Sequence, residues 1–161
     1  MQKYPIASCV LGRYVLRVTI GWNTFGTIHQ ITRNAPMKQP IFPPNAAKPI
    51  APYTPAILCN GTLYLSGQIA LDEAGDLHTG DIVTETRQVM ENIGKLLTTA
   101  GMDFSHLVKI TILLSDMSLY AAVNEVYGSY FNEVPPAREA YAVKGLPRGV
   151  NVEISGVAVK G

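Results

Sequence analysis

Cysteine is scarce in this chain, and so is any excess of charge. Cys9 and Cys59 stand far apart and form neither a CxxC pair nor a disulfide framework, which points to a reducing compartment. Thirteen basic and twelve acidic residues leave a formal net charge of +1, too weak a field to gather nucleic acid or an anionic membrane surface. His29, His78 and His106 sit at no ligand spacing, so no metal site is expected. The apolar stretch Val10 to Ile20 is interrupted by Arg13 and Arg17 and is too short to span a bilayer. No Walker loop, dinucleotide fingerprint, nucleophile elbow or HExxH motif occurs. Small molecules or proteins are the partners that these absences leave, in a soluble and cytoplasmic protein.

What is present fits one globular domain with a tail: 161 residues, 47% hydrophobic and 16% charged. Residues 1–36 hold Lys3, Arg13, Arg17 and Arg33 but no Asp or Glu, whereas the remainder carries every acidic residue. We therefore read 1–36 as an N-terminal extension and 37–161 as the domain. An acid-free, arginine-bearing leader resembles a mitochondrial or plastid presequence in composition, although it is poor in serine and shows no clean amphipathic helix. A bland extension upstream of a start at Met37 is the other reading.

Met37 to Pro55 is proline-rich and predicts an extended approach to the domain. Asn60-Gly61 between two apolar runs predicts a hairpin, with strands at about 56–59 and 62–71. Val89, Met90, Ile93, Leu96, Leu97 and Ala100 form one helical stripe that stops at Gly101. Leu107 to Leu114 is nearly continuous apolar and β-branched sequence, the pattern of a strand covered on both faces. A second helical stripe, Leu119, Val123, Val126, Tyr127 and Tyr130, ends before Pro135, and strands 137–143 and 150–159 close the chain. The order ββαβαββ predicts an α+β fold, a mixed β-sheet with two helices packed on one face. Because two helices cover one face only, and the other face of 107–114 is not polar, sheets of several copies are expected to pack together.

Chemistry must come from scattered residues. Arg138 opens a strand that continues with small or apolar Ala140, Ala142 and Val143. A guanidinium does not shed its charge, and its planar fork suits a carboxylate. The bland alternative is a salt bridge to Glu139 or a solvated strand end. By alternation Glu153 shares a face with Asn151 and Ser155, where a solvent-facing role is the ordinary one. Tyr53, Ser66, Gln68 and Asn124 are further polar candidates.

The segments "APYTPAI", "LYLSGQIALD", "NIGKLLTTAGMDFSHLVKITILLSDM", "VNEVYGSYF", "PPAREAYAVKGLP" and "VEISGVAV" are similar, in order and spacing, to those of the RidA family, also called the YjgF family. The resemblance runs from about Met37 to the end of the chain. It implies a chorismate-mutase-like homotrimer with clefts at the subunit interfaces. It also implies an enamine/imine deaminase, a hydrolase that converts reactive 2-imino acids such as 2-iminopropanoate and 2-iminobutanoate to 2-keto acids and ammonia. Such intermediates leave PLP-dependent enzymes, to which the family is functionally linked; the hydrolysis itself implies neither metal nor cofactor. Arg138 matches the arginine that holds the substrate carboxylate, and Glu153 the glutamate that positions or activates water. Tyr53 matches the tyrosine near the substrate, Asn124 the polar helix residue of the cleft and Ser66 the serine at its floor.

Two positions depart from the family's common pattern. Ala140 stands where many members have cysteine, which removes a contact and any thiol chemistry there. Glu139 stands where serine is common, and alternation places it on the face opposite Arg138. The main alternative function is a trimeric module that binds 2-keto acids without turnover. RNA cleavage, attached to some relatives, is disfavoured by the near-neutral charge and the lack of clustered basic and aromatic residues.

Overall fold

Two antiparallel strands, β1 (Ala7–Leu11) and β2 (Tyr14–Val18), pair with Ala7 opposite Val18 and Leu11 opposite Tyr14. They belong to the first of two units, Met1–Ala35 and Pro36–Gly161, into which the chain divides. The structure, a computed structural model, describes residues 38–46, 49 and 51–160 together with the backbone of these two strands. Most of the acid-free leader, and Met37 with it, lies outside the described residues.

The second unit is a six-stranded sheet and two helices: β3 (Gln39–Ile41), β4 (Ala56–Cys59), β5 (Thr62–Gln68), α1 (Ile82–Thr99), β6 (Leu107–Leu114), α2 (Tyr120–Gly128), β7 (Ala137–Ala142) and β8 (Val152–Val159). The strand order is β3-β4-β5-β8-β6-β7. Every pair is antiparallel except β6 with β7, so the sheet is mixed and the fold α+β. Asn60 and Gly61 take φ of 51° and 78° and reverse the chain between β4 and β5, the two-residue turn that this dipeptide favours. β3 is an element the proline content concealed. Its Pro40 lacks an N–H, which an edge strand tolerates because, among the described residues, only one side of it is paired. β5 stops at Gln68 instead of running to Leu71, which forms an isolated bridge with Leu77.

Asp81 caps α1 by accepting from the Thr84 N–H at 2.9 Å. Gly101, at φ 70°, ends it, with the Met102 N–H donating to the Leu97 carbonyl. Its stripe of Val89, Met90, Ile93, Leu96 and Leu97 is buried with Leu63 and Leu65 of β5, Ile110, Ile112 and Leu114 of β6, and Val152, Ile154 and Ala158 of β8. α2 adds Val123 and Tyr127. The helices therefore cover one face of the sheet. On β6 the other face is only half-buried at Lys109, Thr111 and Leu113, so within one chain this strand is not covered on both sides. Exposed Tyr64 and Tyr141 stand on the same open face, paired with Val157 and Leu113.

A carboxylate sits in the core. Glu85 lies four residues before Val89 on the α1 stripe and is fully buried. Its carboxyl accepts from the Asn151 N–H at 2.6 Å, the Asn151 amide nitrogen at 2.9 Å and the Val152 N–H at 3.2 Å. Asn151 is fixed again by Ser115, whose Oγ donates to Asn151 Oδ1 and whose N–H donates to the Asn151 carbonyl. These bonds anchor the start of β8 one residue before Glu153. They also correct the expectation from alternation: Asn151 precedes the strand and is drawn to Glu85 instead of sharing a face with Glu153. Replacing Glu85 by Ala strands the backbone N–H groups of Asn151 and Val152 and is expected to lower unfolding stability by at least ~2 kcal/mol. Urea denaturation checks this, and a midpoint unchanged from wild type would contradict it.

Candidate functional site

The candidate residues gather at two places. Glu153 pairs with Leu113 in the β6–β8 ladder and so stands on the open face of the sheet. There Tyr53, Ser66, Gly67, Pro147 and Glu153 line a cavity of about 280 Å³, with Ala51 and Ile69. Gly67 makes this arrangement possible: a Cβ at that position would lie 1.8 Å from Glu153 Oε1. Ser66 lines the cavity but donates its hydroxyl to the Thr54 carbonyl at 2.7 Å, and its N–H goes to Pro55. It thereby holds the segment that carries Tyr53. Gln68 donates to the Ser66 carbonyl and lines an adjoining cavity that shares Tyr53, Gly67 and Ile69 with this one.

Among the described residues no donor binds the Glu153 carboxylate. Burial without such compensation raises its carboxyl above the ordinary value. The Tyr53 phenol is raised as well, by burial first and by the Glu153 charge second. A carboxylate that is ionised yet poorly solvated is the state in which such a group accepts a proton from water.

Arg138 lies on the helix face at the sheet edge, paired with Ile110. Its Nη1 donates to Asn124 Oδ1 at 2.5 Å and its Nη2 to the Tyr120 hydroxyl at 2.9 Å. The guanidinium also stacks on the rings of Tyr120 and Tyr127, with Cζ 5.6 and 5.0 Å from their centroids. Among the described residues no carboxylate pairs with it. Glu139 does not, because it projects from the other face and is bound by Lys109 and by the Thr111 hydroxyl, which together lower its pKa. Tyr120 and Tyr127 are contacts that the sequence reading missed, although residues 120, 124 and 127 recur at spacings of four and three and so share one helix face.

The register separates these two places. Arg138 pairs with Ile110 and Glu153 with Leu113, three residues further along β6. Side chains alternate along a strand, so Arg138 and Glu153 point to opposite faces. One strand lies between theirs, which adds roughly 10 Å. A single chain brings Tyr53, Ser66 and Glu153 together, and Arg138 with Asn124, but not the two sets. The histidines stand elsewhere: His78 pairs with Asp72 and His106 with Asp103, while His29 lies outside the described residues.

Residues 43–160 match the family model described as Endoribonuclease L-PSP. The chain belongs to this family, which is the YjgF/RidA family. It is 47% identical, over 70% of its length and 84% of the relative's, to a mouse protein named 2-iminobutanoate/2-iminopropanoate deaminase. A RutC family protein of Pyrococcus horikoshii is 46% identical over 77% of this chain and 99% of its own. Among solved structures, Escherichia coli TdcF with bound serine superposes with a TM-score of 0.73 at 28% identity, covering 77% of this chain and all of that one. The matched span of the RidA domain contains both places described above. Gly67→Ala forces the Glu153 carboxylate to move and is expected to reduce any Glu153-dependent turnover at least ~10-fold with little change in melting temperature. Kinetics beside a thermal melt check this; wild-type turnover in a folded variant would contradict it.

Proposed function

We propose that this chain is a hydrolytic deaminase of 2-imino acids whose site is completed between copies of the chain. The observation that carries the proposal is Arg138: a half-buried guanidinium held by an amide, a phenol and two aromatic faces, with no carboxylate beside it among the described residues. Its charge calls for an anion, and its fork matches a carboxylate. The deaminase name carried by relatives at about 45% identity supports a 2-imino acid as that anion. The serine bound in the TdcF structure supports a small amino-acid-like ligand for this chain.

In this scheme Arg138 of one copy holds the substrate carboxylate and Glu153 of a neighbour faces the imine carbon, with Tyr53 beside it. Water attacks that carbon as Glu153 accepts its proton. Glu153 passes that proton to the imine nitrogen to give the carbinolamine. It then relays the carbinolamine hydroxyl proton to the same nitrogen as the C–N bond breaks, so that ammonia leaves and the hydroxyl oxygen becomes the carbonyl of the 2-keto acid. Imine and water together thus give keto acid and ammonia with no redox change. A homotrimer agrees with the partly apolar open face, which in one chain exposes Tyr64 and Tyr141. Residues 37–161 suffice for this scheme, and 1–36 stand outside it. The family's name, Endoribonuclease L-PSP, denotes RNA cleavage, but the near-neutral charge of the chain favours a small acid.

A coupled assay that generates 2-iminobutanoate with an amino-acid oxidase and follows keto-acid release tests the proposal. Arg138→Ala is expected to abolish the acceleration, and Glu153→Gln to reduce it ~10²-fold or more while 2-ketobutyrate still binds. Because burial raises the Glu153 pKa, wild-type turnover should fall on acidification at a pH above the ordinary carboxylate range, as the base is protonated. Glu153→Gln should lack that limb. Binding of 2-ketobutyrate without acceleration by the wild type would make the chain a binding module instead.

A further inference from the structure

Arg138 receives nothing but neutral support from α2. Asn124 and Tyr120 each accept one of its N–H groups, at 2.5 and 2.9 Å, and Tyr127 offers a ring face. The Tyr120 interaction has a second half. A phenol oxygen that accepts from Nη2 still carries its own proton, and no acceptor for that proton occurs among the described residues. Tyr120 is half-buried, with the Arg138 guanidinium against its hydroxyl. Any anion that reaches Nη2 therefore comes within reach of a free O–H donor fixed 2.9 Å from that nitrogen.

We propose that the Tyr120 hydroxyl is a substrate-binding group that donates to the carboxylate held by Arg138 and makes the site selective for a full carboxylate. The proposal rests on the reading of Arg138 as the carboxylate clamp and goes beyond it by naming a second, neutral donor. A hydrogen bond from a phenol to a carboxylate is charge-assisted. An amide in the same place sets its own NH₂ against donors on every side, and a ketone without the acid leaves them unpaired, so both are rejected. Because Tyr120 contacts the carboxylate in substrate and transition state alike, its loss acts on KM and leaves kcat in place.

Calorimetric titration with 2-ketobutyrate tests this on the full chain, using wild type, Tyr120→Phe and Arg138→Ala, with thermal melts to verify folding. Phe keeps the ring under the guanidinium and removes only the hydroxyl. The expected result is ~10-fold weaker binding by Tyr120→Phe, a matching rise in KM at unchanged kcat, and no measurable binding by Arg138→Ala. Site-specific 3-fluorotyrosine at position 120 separates donation from mere support of Arg138: a more acidic phenol that stays protonated should tighten binding. Wild-type affinity in Tyr120→Phe, with binding lost in Arg138→Ala, overturns the Tyr120 proposal and leaves the clamp standing. Wild-type affinity in both overturns the clamp as well. Weakened binding with the fluorinated phenol contradicts donation.

Discussion

A strand presents each side chain to one face of its sheet, and that constraint governs how this chain can do chemistry. β6 lies between β7, which carries Arg138, and β8, which carries Glu153, and the two residues pair with positions of opposite parity on it. The same alternation that sends Ile110, Ile112 and Leu114 into the core sends the acid and the cation to opposite sides. No rotamer change closes that gap within one chain. A small substrate that needs both groups must sit where the edge of one sheet meets the open face of another.

Each half is then held in position without the other. Arg138 is supported by an amide oxygen, a phenol and two ring faces, so α2 fixes its fork without neutralising it. Glu153 lies against the bare backbone of Gly67, on a strand whose start is clamped by the buried Glu85 through Asn151 and Val152. Glu139, the one carboxylate adjacent to Arg138 in sequence, is engaged by Lys109 and Thr111 on the far face. Both arrangements hold an ionisable group in a half-buried place, which in the proposed scheme a ligand completes.

Much of this was legible in the sequence wherever one period dominates. The 3.6-residue stripe gave α1 and its Gly101 stop, Asn60-Gly61 gave the β4–β5 turn, and the alternation of Arg138 and Glu139 placed them on opposite faces as observed. β3 was hidden because Pro40 argues against a strand unless its edge position is already known. Glu85 was hidden for a different reason: its place on the apolar stripe could be counted, but its partners lie 66 and 67 residues away at the start of β8. Tyr127 was read as core, which it is, while its second contact with Arg138 depends on which strand lies beside α2. The separation of Arg138 from Glu153 required the register of β6 against both neighbours, and no local pattern encodes it.

Subunit complementation tests the central claim most directly. Arg138→Ala and Glu153→Gln chains, each inactive alone, are unfolded, mixed in equal amounts and refolded together. If every site takes Arg138 from one copy and Glu153 from its neighbour, one pairing in four within a cyclic assembly restores an intact site, and about a quarter of wild-type imine hydrolysis returns. If both residues serve a site inside one chain, no mixed assembly contains an intact site, and activity stays at the level of the separate variants.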